Sequence, residues 1–213
     1  MNRNKQQIDV PNIPPLADQI SLSNQRNQSN KILFSAYELV STKGYANVSL
    51  RNIADHAKVV LSQVNYYFKN KEGLMTAVVK MMADKFILEI EDVLKNGDSS
   101  KEKMTALTQY YKDILTNNPS LLRIFYDLTA MSLWSVKFSK LLDGLFEKLT
   151  SLIQTYIIET MIQENNHKNL STEGLSKMIL GALIGTTIQF LLNPDIEKID
   201  KSLDSINILF EWN

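Results

Sequence analysis

Residues 48–74 read VSLRNIADHAKVVLSQVNYYFKNKEGL, and the order of residue types in this stretch decides the fold. Ser49 can cap a short helix whose buried face is Ile53, Ala54 and Ala57. A tight turn follows, and 61–68 forms a second short helix that ends in aromatics. Asn70 can then cap a longer, basic third one. A helix presented across a turn in this way can enter the major groove of DNA, and lysines and tyrosines behind it can grip phosphates.

Outward from this stretch the apolar spacing is helical throughout. Ile32, Leu33, Ala36, Leu39 and Val40 form one stripe, closed by Lys43 and a break at Gly44. The helix capped by Asn70 carries Leu74, Ala77, Val78, Met81, Met82 and Phe86 on one face and stops at Asn96 and Gly97. Ser99 and Glu102 have the spacing of a capping box, and the helix they open must end near Asn118 and Pro119. Further helices are predicted at about 121–134, 138–161, 171–192 and 196–210. No segment alternates like a strand and no unit repeats, so the predicted fold is all-α with about nine helices.

The chain has 213 residues and 44% apolar content, ample for a core. It has no cysteine, and its two histidines, His56 and His167, are far apart, which argues against a metal centre. No cofactor is expected. The N-terminus lacks an apolar leader core, and the longest apolar stretch, 178–192, is shorter than the ~20 residues of a spanning helix. The expectation is therefore a cytoplasmic protein without membrane association.

Zero net charge conceals an asymmetry. Residues 24–80 hold eight cations against three anions, a net +5, whereas residues 81–213 hold 13 cations against 18 anions, a net −5. A basic module joined to an acidic one is the electrostatic footprint of a two-part regulator. Residues 1–23, rich in Asn, Gln and Pro, are expected to be a disordered arm.

These motifs resemble the TetR family of bacterial transcriptional regulators. The turn Lys43, Gly44, Tyr45, the segment Ser49, Leu50, Arg51, Asn52, Ile53, Ala54, the aromatic-rich second helix and the run from Phe68 through Lys69, Lys71 and Glu72 to Leu74 stand in the family's order and spacing. The resemblance covers about a quarter of the chain. It implies a DNA-binding domain at 24–72, with the helix-turn-helix at 49–68, and a helical effector-binding and dimerisation domain at 73–213. Two positions depart from the pattern. Lys58 stands where the family often has Gly, and a left-handed conformation there costs about 1 kcal/mol or more. Val60 stands where a Ser or Thr cap is usual, so Ser62 is expected to take over and start the helix later.

Residue by residue, Val64 and Phe68 share a face and belong to the core. Gln63 and Asn65 lie off that face and can pair with adenine edges, Asn65 equally with phosphate. Tyr66 and Tyr67 offer hydroxyls to phosphate and rings to thymine methyls, and the resemblance places backbone contacts there. Ser49 and Lys71 stand at helix starts, where amides and dipole favour phosphate, and Lys69 lies beside them. Arg51 can reach either a guanine or a phosphate.

One such module makes few contacts, so two copies on a palindromic double-stranded operator are expected. Small residues Gly181, Ala182, Gly185 and Thr186, and the stripe Ile199, Leu203, Ile206 and Phe210, are the expected homodimer interface, a four-helix bundle in the family. The resemblance also implies a cavity for a small-molecule effector. Tyr110, Tyr111, Phe125, Tyr126, Met131, Trp134, Phe138, Tyr156 and Met161 suit a largely apolar one. The reading is a repressor released by that effector. The alternative is a DNA-binding adaptor controlled by a protein partner, with a filled interior. No acid–base pair, nucleophile arrangement or phosphate loop points to an enzyme.

Overall fold

The computed structural model describes residues 28–165 and 171–207. Among them the chain forms nine helices and no strand. They are α1 (Gln28–Lys43), α2 (Leu50–Ala57), α3 (Leu61–Phe68), α4 (Lys71–Lys95), α5 (Ser100–Asn117) and α6 (Pro119–Ser132). Next comes α7 (Val136–Ile153), which runs on through a π-helical turn at Gln154–Ile158 into Glu159–Asn165. The last two are α8 (Thr172–Leu192) and α9 (Ile196–Ile206). The expected arm at 1–23 and Phe210 lie outside the described residues.

Local chemistry explains the boundaries. Ser49, Asn70, Ser99, Ser135 and Ser171 each accept a backbone N–H from the first turn of the helix they precede. Glu102 completes the predicted capping box by accepting the N–H groups of Asp98 and Ser99. α6 starts two residues earlier than its apolar pattern predicts, because Pro119 occupies the first helical position, where its missing N–H costs nothing. The π turn in α7 inserts one residue, and as a result Ile157 and Ile158 are both buried.

Two hydrophobic clusters form the interior. The first joins Ile32, Ala36, Val40, Ile53, Ala57 and Val64 to Leu74, Met75, Val78 and Met82 of α4, and it also takes in Ile124 and Leu128 of α6 and Phe138 of α7. The second packs α4 to α9 around Tyr110, Leu115, Leu149, Leu183 and Leu203. α4 and α6 therefore contribute to both clusters, which couples their positions mechanically.

α8 corrects the length argument made from the sequence. The helix has 21 residues and is long and apolar enough, by length and composition, to cross a membrane. Part of its surface packs inside the protein, where Tyr126 donates its hydroxyl to the Ile184 carbonyl at 2.6 Å. Met178, Ile188 and Leu192 remain exposed. α9 packs on α5 and α8, and Lys112 of α5 pairs with Asp204 at 2.8 Å and Asp200 at 3.5 Å.

Candidate nucleic-acid interface

The interface is built on α2 and α3. The Ser49 hydroxyl accepts the Asn52 N–H at 3.1 Å and donates to the Asn52 side-chain oxygen at 2.6 Å. Its one O–H is thus already spent on the capping box, and a phosphate at this point must displace it. α2 ends at Lys58, which adopts the left-handed conformation (φ 54, ψ 47) despite its side chain. The N–H groups of Lys58 and Val59 bond back to Asp55 and Ala54, which holds the turn.

α3 starts at Leu61 with Val60 as its cap residue, so Ser62 does not take over the cap as expected. Gln63 explains why. Its side-chain oxygen accepts the Val60 N–H at 3.3 Å, and its amide N–H donates to Gln28 of α1 at 2.8 Å. Both ends of the amide predicted to read adenine are therefore engaged within the protein. Val64 is fully buried against the first cluster, and Phe68 packs beside it. Ser62, Asn65, Tyr66, Tyr67 and Lys69 face outward, as do Arg51 and Lys58. Tyr66 is 82% exposed, its ring edge-on to Tyr67 with centroids 5.2 Å apart.

The link from α3 to α4 is stringently built. Lys69 sits at φ 65, ψ −51, and the Asn70 N–H reaches the Phe68 carbonyl at 2.8 Å, which is a γ-turn of the strained kind. A Cβ on Gly73 would lie 2.2 Å from the Phe68 oxygen, so this position admits only glycine. Lys71 does not point outward. Its ammonium donates to the Tyr45 carbonyl at 2.6 Å and lies 4.1 Å from the centre of the Tyr45 ring. Burial pulls its pKa below the ordinary lysine value. The predicted phosphate ligand is, in this conformation, an internal strut.

Tyr45 also receives the second half of the protein, since its N–H donates to Asp127 of α6 at 2.9 Å. Ser135 further donates to Glu72 of α4 at 3.3 Å. Neither contact was legible in the sequence, because the partners lie more than sixty residues apart.

The predicted effector aromatics are dispersed over both clusters and the surface. Tyr110 is buried with its hydroxyl on Glu89 at 2.7 Å, and Tyr111 is packed against Phe86. Tyr126 is tied to α8, Tyr156 donates to Glu91 at 3.3 Å, and Met161 is core. Met131 and Phe138 belong to the first cluster, and Trp134 is 91% exposed. One cavity among the described residues measures about 50 Å³ and is walled by Val79, Met82, Ala83 and Phe86 of α4, Leu121, Leu122, Phe125 and Leu128 of α6, and Leu145 of α7. Of the predicted residues only Phe125 lines it.

The expected dimer stripe divides. Leu203 and Ile206 are buried in their own chain, while the side chain of Ile199 lies outside the described residues. Gly181 of α8 faces outward, with Ala182, Gly185 and Thr186 partly exposed, and a Cβ on Gly181 or Gly185 would meet nothing within 4 Å. Met178, Ile188 and Leu192, exposed on the same helix, escaped the sequence reading, which looked for small residues rather than for the full outward row.

Residues 32–78 match the family model of the bacterial regulatory proteins, tetR family. That segment of the chain is a TetR-type DNA-binding module. The fatty acid metabolism regulator protein of Bacillus subtilis (strain 168) is 24% identical over 179 residues, spanning 81% of this chain and 88% of the relative. A TetR transcription regulator from Haloarcula marismortui superimposes with a TM-score of 0.74 at 19% identity, covering 84% of this chain and 93% of that one. The fatty acid degradation regulator FadR from Bacillus halodurans gives 0.70 at 19% identity, over 88% and 96%. A chain with such a module is a DNA-binding transcriptional regulator, and the relatives it matches are regulators rather than enzymes.

Proposed function

We propose that this regulator is a homodimeric repressor, released from a palindromic operator by a small, largely apolar effector that enters the cavity between α4, α6 and α7. One observation carries the reading. The helix that walls the cavity with Leu122, Phe125 and Leu128 also holds Tyr45 through Asp127, and Tyr45 in turn anchors Lys71 at the first position of α4. At about 50 Å³ the cavity is far below the ~300 Å³ of a typical ligand site, so occupation must push α6 away from α4. That displacement changes the separation of two recognition helices and weakens operator binding by a coupling of about 1 to 3 kcal/mol. The apolar lining, and relatives whose names place them in fatty acid metabolism, support an effector with a hydrocarbon chain.

The outward row of α8, with Met178, Gly181, Gly185, Ile188 and Leu192, supports pairing through this helix, where glycines allow close approach. The site of action is the chromosome in the cytoplasm. The second reading, an adaptor under a protein partner, is favoured by the exposed Leu133, Trp134 and Val136 at the α6–α7 junction.

Selection of genomic DNA bound by the full chain at two salt concentrations tests the reading and yields the operator. With about four phosphate contacts per half-site, log affinity against log salt slopes by roughly −7 for a dimer. A flat salt response overturns DNA recognition, and an operator affinity indifferent to fatty acids of every chain length overturns the effector.

A further inference from the structure

Between residues 28 and 80 the large apolar side chains that stand exposed are Val60, Tyr66 and Tyr67, all on α3 or its cap. Val60 is the unusual one. It is 62% exposed at a cap position that prefers Ser, Thr, Asp or Asn, and it makes no side-chain cap hydrogen bond. Gln63 makes the reciprocal half of a capping box, its side-chain oxygen accepting the Val60 N–H, at the cost of its own freedom to meet a base. The start of the recognition element therefore presents a stiff, branched hydrocarbon where a polar reader would otherwise stand. An isopropyl group has no hydrogen-bond capacity. The one feature of a base-pair edge in the major groove that it can complement is the C5 methyl of thymine.

We propose that Val60 is a specificity-determining residue that packs on the methyl group of a thymine in each operator half-site. The proposal rests on α3 being the element that enters the major groove. A cytosine at the same place lacks the methyl and presents an amino group that Val60 strips of water without replacing its hydrogen bond, so discrimination follows from both the gain and the penalty. Ser62, Asn65 and Tyr66, all exposed, are left to satisfy the neighbouring bases and phosphates.

The test uses the full chain and the selected operator, with each thymine replaced in turn by uracil, which lacks only the methyl. At one position per half-site the replacement is expected to lower affinity about fourfold, the factor that corresponds to one buried methyl-sized group. In Val60→Ala the affinity for the thymine operator falls by about the same factor, and the uracil replacement has no further effect. Should Val60→Ala melt below the parent, Val60→Thr, which keeps the shape and restores a capping hydroxyl, is expected to melt no lower and to show reduced sensitivity to uracil. Equal uracil sensitivity in parent and variant, or no sensitive thymine anywhere, overturns the assignment. Loss of all sequence-selective binding by the parent protein overturns the groove-reading role of α3 along with it.

Discussion

Asp127 accepts the backbone N–H of Tyr45 at 2.9 Å across 82 residues of chain, and this bond ties the helix that walls the cavity to the turn that leads into the helix-turn-helix. Tyr45 passes the constraint on, since its carbonyl holds the Lys71 ammonium at 2.6 Å. Lys71→Met keeps the stem and loses both contacts to Tyr45.

Asp127→Ala leaves the half-buried Tyr45 N–H without its acceptor, which costs about 1 to 3 kcal/mol. The expected result is a lower melting temperature together with an operator affinity that no longer changes when a fatty acid is added. Paired thermal melts and operator titrations check it. A variant that melts lower and still responds in full removes Asp127 from the transmission path.

Gly73→Ala should be disabling although alanine is the better helix former. Its methyl must displace the Phe68 carbonyl, 2.2 Å away, and with it the γ-turn that aims α3. A loss of about 1 to 3 kcal/mol and weakened DNA binding are expected. Gly181→Ala and Gly185→Ala meet open space and should stabilise the isolated protomer by up to about 1 kcal/mol each. If α8 pairs with a second copy, the same two changes weaken self-association, which sedimentation measures.

Leu203→Ala and Leu192→Glu separate core from surface on the two terminal helices. Leu203 is fully buried, and its truncation should cost about 2 to 5 kcal/mol. Leu192 is 80% exposed, so a charge there leaves the protomer's stability within about 0.5 kcal/mol while opposing pairing. Chemical denaturation and light scattering on both variants distinguish the two outcomes.

Alkali should unfold the C-terminal helices through buried phenols. Burial holds the hydroxyls of Tyr110 and Tyr111 well above the ordinary tyrosine value of 10.0, and the nearby Glu89 charge adds to the effect at Tyr110. A folded pKa above the unfolded one leaves stability intact below pH 10 and erodes it as pH climbs from there toward the folded value. Tyrosinate absorbance from these two rings should therefore appear together with the loss of helicity. Phenolate signals from all eight tyrosines in a fully helical protein would contradict this.

The amino-acid sequence by itself determined the helical class, the order of the elements and most of their boundaries. Caps at Ser49, Asn70 and Ser99 and the break before Pro119 all depend on interactions within about five residues, so they can be read along the chain. The exposed row Asn65, Tyr66, Lys69 also follows from helical spacing once Val64 is placed inside. Tertiary structure decided what the polar and apolar groups do after that. Gln63 turned to Val60 and Gln28, Lys71 to Tyr45, and Leu203 to its own core, while the cavity formed from leucines, valine and phenylalanines rather than from the tyrosines. A donor or a methyl takes whichever partner packing brings nearest, and a partner 26 or 82 residues away leaves no trace in local periodicity.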